Sequence, residues 1–331
     1  MPFTSCPIRR PHSRKIAGAI TLLLFITTST IIFSRKPSCN IAMPVDDYYP
    51  KIDFKLVSPA IKPVLRSKKL FLVVVVNSGA NGEKYFQQRQ AIRQTWARQD
   101  REVSTLEDSK WEVFFVLGKT YNEQDRKNLQ EADKHNDMLI GDFKDIYLNL
   151  IIKTMMSHLW ASSLDCCYIL KADDDVYIRV PRVIAWLKAR RSHSRFYGGD
   201  IYTNSEISRD PCSPWGISKK YYPYFEWPPF CYGLFHILSA DVVPEILNHT
   251  RTRIPFHTDD AYVGVAADDL NINAVQIPGF EKKELFAEFW NDLDVRQKKA
   301  DKVKDMKAIG HKLTPEYIYR YHEYFKTTES S

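Results

Sequence analysis

Three consecutive aspartates, Asp173, Asp174 and Asp175, directly follow the strand-like stretch CYILKA. Adjacent carboxylates repel one another, so a chain that keeps three of them together at the end of a strand usually has a cation to place there. Carboxylate oxygens are hard ligands suited to Mg²⁺ or Mn²⁺, ions that usually also contact substrate phosphates. The triplet therefore predicts a divalent-cation site. A solvated acidic turn is the alternative, because an Asp-x-Asp pair alone is a weak signal.

Two classes of enzyme place Asp-x-Asp after a strand. Phosphohydrolases that use the first aspartate as a nucleophile want a small Thr or Val two residues past the second, and Tyr177 stands at that position. Glycosyltransferases instead hold a nucleoside-diphosphate sugar through the cation. Tyr177 therefore disfavours a phosphohydrolase.

Alternating strand and helix patterns must position the triplet. Residues 69–78 (KLFLVVVVNS) form a continuous β-branched run, typical of a strand that is buried on both faces. Further strand patterns at 110–118 and 137–143 alternate with amphipathic helices. This alternation predicts an α/β fold with a mainly parallel sheet, in which ligands bind at the carboxyl ends of the strands. From about residue 201 the chain is richer in aromatic residues and proline, which suits a substrate-facing region.

The N-terminal part has a different character. Residues 16–33 carry no charge, and a helix of that length nearly spans a bilayer core of roughly 30 Å. A cleaved signal peptide is the alternative, disfavoured by the length of the run and by the lack of a small-x-small cleavage site. We expect a cytoplasmic tail (1–15), a signal anchor (16–33), a proline-rich stem (34–68) and a lumenal domain (69–331).

The charge distribution and the cysteines agree with a lumenal body. Residues 1–36 hold six basic and no acidic residues, which leaves 41 basic against 40 acidic residues elsewhere and disfavours nucleic-acid binding. Asn248 opens an N-glycosylation sequon. An oxidising compartment permits disulfides, and Cys212 with Cys231 is the first pairing to expect.

Several blocks, in order, resemble the β-1,3-glycosyltransferases, the galactosyl- and N-acetylglucosaminyltransferase family of the Golgi. The blocks are RQAIRQTWA (89–97), FFVLG (114–118), DMLIGDFKDIYLNLIIKT (137–154), KADDDVYI (171–178), YPYFEWPPFCYGLFHILS (222–239), DDAYVG (259–264) and HKLTPE (311–316). The resemblance runs from about residue 69 to 322. It implies an inverting enzyme whose single nucleotide-sugar-binding domain has an α/β fold of the GT-A type.

The resemblance also implies a set of metal and donor residues. Asp175 is expected to bind the cation directly, with Asp173 on the metal or the ribose and Asp174 in a supporting position at the donor site. His311 is implied as a further ligand of the metal or diphosphate, although a lone histidine there is more often a surface residue. The cofactor implied is Mn²⁺, or Mg²⁺.

The general base is expected from the pair Asp259 and Asp260, which open a predicted helix. Acidic residues also stabilise helix N-termini electrostatically, which is the purely structural alternative. The resemblance implies that Asp260 is the base and that Asp259 occupies the family's Glu/Asp position.

Contacts to the two substrates are expected from other blocks. Arg89 and Arg93 lie four residues apart on one helix face, and arginine suits diphosphate recognition, with ordinary salt bridges as the alternative. Asp142 ends its strand and is expected to accept a hydrogen bond from uracil or ribose. Trp227 and Tyr232 are expected to stack on acceptor sugars, unless they belong to the core. Tyr232 stands where the family has a serine, which leaves the acceptor open.

The expected function is inverting transfer of a hexose from a UDP-sugar to a glycan on lipid or protein, in β-1,3 linkage. Galactose and N-acetylglucosamine are the leading donors, and galactosyl transfer is the first choice. The expected location is the Golgi membrane, as a single-pass type II protein, with a homodimer left open. The alternative is a catalytically inactive lumenal sugar-binding membrane protein on the same fold, which would be expected to lose the metal or base carboxylates.

Overall fold

A computed structural model describes residues 52–98, 109–282 and 302–329. The expected tail (1–15), the expected anchor (16–33) and the expected stem as far as residue 51 lie outside this range. Within it, none of the helices has both the length and the apolar character needed to cross a bilayer.

Two sheets are present in the described part of the chain. The strands of the larger sheet are β1 (Pro59–Ile61), β2 (Lys69–Asn77), β3 (Trp111–Lys119), β4 (Met138–Lys144), β5 (Asp165–Asp173), β7 (Tyr197–Tyr202), β8 (Phe230–Ser239) and β9 (Ala274–Gln276). The smaller sheet consists of β6 (Val176–Ile178), β10 (Phe280–Lys282) and β11 (Ala308–Gly310). The spatial orders are β1-β4-β3-β2-β5-β8-β7-β9 and β10-β11-β6.

Strand direction in the larger sheet is mainly parallel, as the sequence predicts. The neighbours β4, β3, β2 and β5 are parallel to one another. Strand β8 is antiparallel to both β5 and β7, whereas β7 and β9 are parallel. Strand β1 is antiparallel to β4 at the edge, so part of the segment expected as stem belongs to the sheet. Only β1 and β8 therefore run against the common direction of this sheet.

Helices cover both faces of the larger sheet. They are α1 (Glu83–Gln94), α2 (Gln124–His135), α3 (Leu150–Ala161), α4 (Val180–Lys188), α5 (Val243–His249), α6 (Asp259–Asp269) and α7 (Pro315–Glu329), with a 3₁₀ turn at Tyr147–Asn149. From β2, Leu72, Val74 and Val76 join the core cluster that contains residues of α1, α4 and α7. Val73 and Val75 join the cluster of α3, α5 and α6. The prediction that this strand is buried on both faces is confirmed.

The carboxyl edge of the parallel strands gathers the residues of interest. The ends of β2 and β5 are neighbours, because Asn77 pairs with Asp173 in the register. Strand β8 begins at the same edge, since it runs antiparallel to β5. Helix α6 packs closely on β8, and a Cβ at Gly264 would overlap the Phe230 side chain. The N-terminus of α6 thus reaches the edge where β5 ends.

A buried ion-pair cluster joins α1 to α2. Arg89, whose exposed fraction is 1%, donates to both carboxylate oxygens of Glu131, at 2.9 and 2.6 Å. Arg93 donates to Glu131 at 2.6 Å and to Asp137 at 2.7 Å. Burial would raise the pKa of Glu131, but the two guanidinium groups outweigh it and hold that pKa below its usual value. The cluster is compensated only while Glu131 is charged.

We expect Glu131→Gln to lower the free energy of unfolding by about 3–5 kcal/mol, because it leaves the Arg89 charge buried without its carboxylate. Urea unfolding followed by circular dichroism measures this. The control is Glu123→Gln, which removes an exposed partner 3.4 Å from Arg126 and should cost less than about 1 kcal/mol. Equal losses in the two variants would contradict a stabilising role for the buried cluster.

Candidate active site

Asp175 lies in the turn between β5 and β6, against the chain that follows β11. Its Oδ2 accepts a hydrogen bond from the Lys312 amide at 2.9 Å and lies 3.6 Å from His311 Nδ1. The Leu313 amide donates to the Asp175 carbonyl at 3.0 Å. The second carboxylate oxygen, Oδ1, is buried and has no hydrogen-bond partner among the described residues. A buried carboxylate oxygen without a donor is costly, and a cation could compensate it.

The smaller sheet brings His311 to this position. Strand β11 is antiparallel to β6, with Gly310 opposite Val176. His311 directly follows β11, and Asp175 directly precedes β6. The two residues are thereby brought together although they are far apart in sequence, as the resemblance implies. A carboxylate and an imidazole form a donor set that Mn²⁺ accepts. The described residues include no group of three or more His, Cys, Asp or Glu side chains arranged to hold a metal.

Asp174 turns away from Asp175 into the protein. Its Oδ2 accepts a hydrogen bond from the Ser78 hydroxyl at 2.7 Å. Ser78 in turn accepts from Arg89 at 3.0 Å. Burial raises the pKa of Asp174 to about 6, and the Ser78 bond opposes the rise. Asp174 therefore ties the end of β5 to the loop after β2, and its supporting position at the donor site stays a prediction.

Asp173 is paired with a lysine from its own strand. Lys171 Nζ donates to Asp173 Oδ1 at 2.7 Å and to the Gly233 carbonyl. The same ammonium lies 3.7 Å from Asp259 Oδ2. Desolvation raises the pKa of Asp173 to about 7, against the attraction of Lys171. Sequence reasoning missed Lys171, although a lysine within an otherwise apolar strand was the available signal.

The two aspartates at the start of α6 face different surroundings. Asp259 is buried, and Thr154 donates to its Oδ2 at 2.6 Å. Asp260 is half-buried and accepts from the amides of Gly233 (3.0 Å) and Ala261 (2.8 Å). Burial and the charge of Asp259 raise the pKa of Asp260 to about 6, and the two amides oppose the rise. The geometry thus distinguishes a carboxylate held in the interior from one that borders open space.

Asp260 borders a cavity of about 320 Å³ whose lining includes several aromatic side chains. The aromatic lining residues are Tyr202, Trp215, Trp227, Phe230 and Tyr232. Tyr232 stacks on Tyr202 with ring centroids 4.9 Å apart, and Lys282 Nζ lies 4.1 Å from the Tyr232 centroid. Trp227 stacks on Tyr222 at 4.8 Å. Both residues predicted to bind the acceptor therefore line the cavity that contains Asp260.

Tyr147 and Trp215 at this site were also missed by sequence reasoning. Trp215 is 64% exposed and lines the cavity. Tyr147 lies in the 3₁₀ turn after β4 and is 49% exposed. Partial burial and the charges of Asp260 and Asp259 raise the pKa of Tyr147 to about 12, so this ring lies near the acidic residues. Tyr147 falls within a block that resembles the family, but spacing alone gave it no role.

The prediction that Arg89 binds a diphosphate is wrong, because its guanidinium is buried and bound to Glu131. Arg93 does not support that role either, since Glu131 and Asp137 engage it and it stacks 4.7 Å from the Phe115 ring centroid. Asp142 is exposed near the carboxyl end of β4 and pairs with Lys119 at 2.8 Å. Its contact with uracil or ribose stays a prediction.

The expected disulfide between Cys212 and Cys231 is wrong. Cys231 is a free, fully buried thiol within β8, and its amide donates a hydrogen bond to the Tyr197 hydroxyl at 2.8 Å. Cys212 is exposed and is not paired with Cys231. Asn248 is exposed near the end of α5, and its glycosylation stays a prediction.

Comparison with known proteins identifies the family of this chain. The model of the family described as Galactosyltransferase matches residues 87–278, which is more than half of the chain. The chain belongs to this family, which confirms the predicted family and enzyme class.

Individual relatives agree with the family match. Beta-1,3-galactosyltransferase 5 of Gorilla gorilla gorilla is 32% identical over 210 residues, covering 62% of this chain and 68% of that protein. Beta-1,3-galactosyltransferase 1 of Mus musculus is 32% identical over 218 residues, covering 63% of this chain and 64% of that protein. Among solved structures, the apo structure of the WbbM bifunctional glycosyltransferase aligns with a TM-score of 0.41 at 9% identity, covering 82% of this chain and 53% of that chain.

We expect Asp175→Asn to weaken manganese-dependent UDP binding by about tenfold or more, because it removes the charge of the expected metal ligand. Isothermal titration calorimetry with and without Mn²⁺ measures this. The matched control is Asp142→Asn at the same edge, which should leave the manganese-dependent part of the affinity intact. An unchanged manganese effect in Asp175→Asn would remove Asp175 from the metal site.

Proposed function

We propose that this protein transfers galactose from UDP-galactose to a hydroxyl group of a glycan acceptor, with inversion and in β-1,3 linkage. The observation that carries the proposal is the position of Asp260. This carboxylate borders an aromatic-lined cavity and stands at the edge where the strand bearing Asp173 ends. The names of the relatives support galactose as the donor sugar. The fold in this proposal is a nucleotide-sugar-binding domain of the GT-A type.

The proposed chemistry is a single displacement. Asp260 takes the proton from the acceptor hydroxyl as that oxygen attacks the anomeric carbon of the donor. The bond from this carbon to the diphosphate breaks, and UDP leaves with the bonding electron pair. One displacement inverts the configuration, so an α-linked donor gives a β-linked product. Aromatic faces in the cavity, including Trp227 and Tyr232, hold the acceptor in line.

Asp260 suits the base role better than Asp259. A general base works best when its pKa approaches the working pH, and the pKa of Asp260 is raised to about 6. The two backbone amides fix its orientation while leaving further lone pairs available. Asp259 is enclosed and bound to Thr154, which gives it no access to the acceptor.

Asp175 and His311 are the residues that would hold a divalent cation. They fit one, because a buried carboxylate oxygen without a donor lies in the Asp175 group and an imidazole lies beside it. Ions of this kind are commonly bound by one or two carboxylates together with substrate phosphates and water. When bound, the cation would offset the charge on the departing diphosphate. We further propose, from the sequence, a single-pass type II protein with this domain in the Golgi lumen.

The test is UDP release from UDP-galactose, UDP-N-acetylglucosamine and UDP-N-acetylgalactosamine, with and without Mn²⁺, over a panel of glycan acceptors. We expect manganese-dependent release with UDP-galactose and a β-1,3 linkage in the product, assigned by NMR. Release from a different donor would contradict the proposed sugar. UDP binding without turnover on any acceptor would favour the inactive sugar-binding alternative.

We expect Asp260→Asn to lower kcat by about 10²–10⁴-fold without changing the Kd of UDP, because a base acts only in the chemical step. In the unaltered enzyme, kcat/KM should fall about tenfold per pH unit below pH 6, since the base must be deprotonated and its pKa is raised to about 6. Initial rates between pH 4.5 and 8 measure this.

The matched control is Asp259→Asn. It removes a negative neighbour that raises the pKa of Asp260, so the acidic limb should persist and move to lower pH. If Asp259→Asn abolished the limb and Asp260→Asn kept it, the base would be Asp259.

A further inference from the structure

Lys171 lies near the carboxyl end of β5 and is an unusual residue for a buried strand. Its exposed fraction is 1%, and its neighbours along the strand are Leu170 and Ala172. An ammonium group in such surroundings is costly unless it is paired and hydrogen-bonded. The cost is offset by Asp173 at 2.7 Å, by the Gly233 carbonyl and by the nearby Asp259 carboxylate at 3.7 Å.

These partners come from three different elements. Asp173 ends β5, Gly233 lies in β8, and Asp259 begins α6. The peptide chain at Gly233 has a second role, because its N–H donates to Asp260 Oδ2 at 3.0 Å. A Cβ at this glycine would lie 3.1 Å from the same oxygen, so the base packs directly on that backbone. One ammonium group therefore connects the acidic triplet to the residue that orients the base.

Lys171 offsets the negative charge of the carboxylates around it. Asp173, Asp259 and Asp260 all attract its ammonium group. The nearby imidazoles of His158 and His236 are fully buried, and burial lowers the pKa of His158 to about 4, so they stay neutral. The other buried lysine of this edge, Lys153, is paired with Asp145 at 2.8 Å.

We propose that Lys171 is a positioning residue that assigns separate roles to the acidic residues of the site. Its ammonium group is a fixed positive charge that pairs with Asp173 and Asp259. By binding the Gly233 carbonyl, it also fixes the Gly233 backbone, whose N–H orients Asp260 for proton abstraction. By pairing with Asp173, it also leaves Asp175 and His311 as the protein ligands of the cation. The inference rests on the proposed function, which supplies the base Asp260 and the cation ligands Asp175 and His311.

The first test is Lys171→Met in the full chain, because methionine keeps the length of the side chain and removes its charge. We expect kcat to fall about 100-fold or more while the protein stays folded. We also expect Mn²⁺ to bind about tenfold or more tightly at pH 8 without nucleotide, because a nearby positive charge is gone and Asp173 is released. A loss of packing would weaken Mn²⁺ binding instead. Electron paramagnetic resonance of free Mn²⁺ measures this affinity.

The second test is charge rescue. The double variant Lys171→Met/Asp259→Asn removes one positive and one negative charge, so the balance near Asp260 is restored. We expect its kcat to exceed that of Lys171→Met by about tenfold, and its melting temperature to be higher. The control is Lys153→Met, which Asp259→Asn should not rescue because Lys153 pairs with Asp145.

An unchanged or weaker Mn²⁺ affinity in folded Lys171→Met, or a double variant no better than the single one, would overturn the inference. If Lys171→Met fails to fold, the double variant is expected to fold, and failure of both would show that packing and not charge is what Lys171 supplies. If the unaltered enzyme transfers no sugar, the proposed function fails, whereas Mn²⁺ affinity and melting temperature still test Lys171.

Discussion

Carboxylates that crowd one edge of a parallel sheet must each be paired with a hydrogen-bond donor or a positive charge, and this requirement determines how the site is built. Strand β5 delivers three of them, and α6 delivers two more to the same edge. Like charges at such separations cannot all stay ionised inside a protein without donors or cations. The chain supplies a different partner to each carboxylate, and the partner sets what that carboxylate can do.

The division of partners follows from elements that lie far apart in sequence. The Ser78 hydroxyl, which accepts a hydrogen bond from Arg89, donates to Asp174 in the interior. The backbone amide of Lys312, after β11, donates to Asp175. Thr154 of α3 holds Asp259. Asp260 alone among these groups borders the aromatic-lined cavity. In the proposed function, these different partners separate the expected cation ligand Asp175 from the proposed base Asp260.

The parts of this arrangement that depend on local pattern could be predicted from the sequence. The β-branched run of β2 indicated a strand buried on both faces, and the acidic triplet indicated a strand end at the ligand-binding edge. The pair Asp259 and Asp260 indicated a helix start, and α6 begins there. The order of the blocks indicated the family, which the family match confirms.

Other parts depend on partners that spacing does not reveal. Arg89 and Arg93 share a helix face, but both pair with Glu131 on a different helix, so Arg89 is buried and Arg93 is partly buried. Cys231 was expected to form a disulfide, yet it lies inside β8 where Cys212 does not reach it. Lys171 stands out in the sequence only as a lysine within an apolar strand, and its proposed role depends on Asp259, which lies at the start of α6. Such long-range pairings are properties of the packed structure.

The most direct test of this division of roles is a crystal structure of the protein with UDP and Mn²⁺, using the anomalous signal of manganese. The account predicts a single manganese peak bonded to the Asp175 carboxylate, the His311 imidazole and a diphosphate oxygen. It also predicts Lys171 still paired with Asp173, and Asp260 facing the acceptor cavity. Manganese bound instead to Asp259 or Asp260, or UDP held away from the carboxyl edge of the sheet, would contradict it.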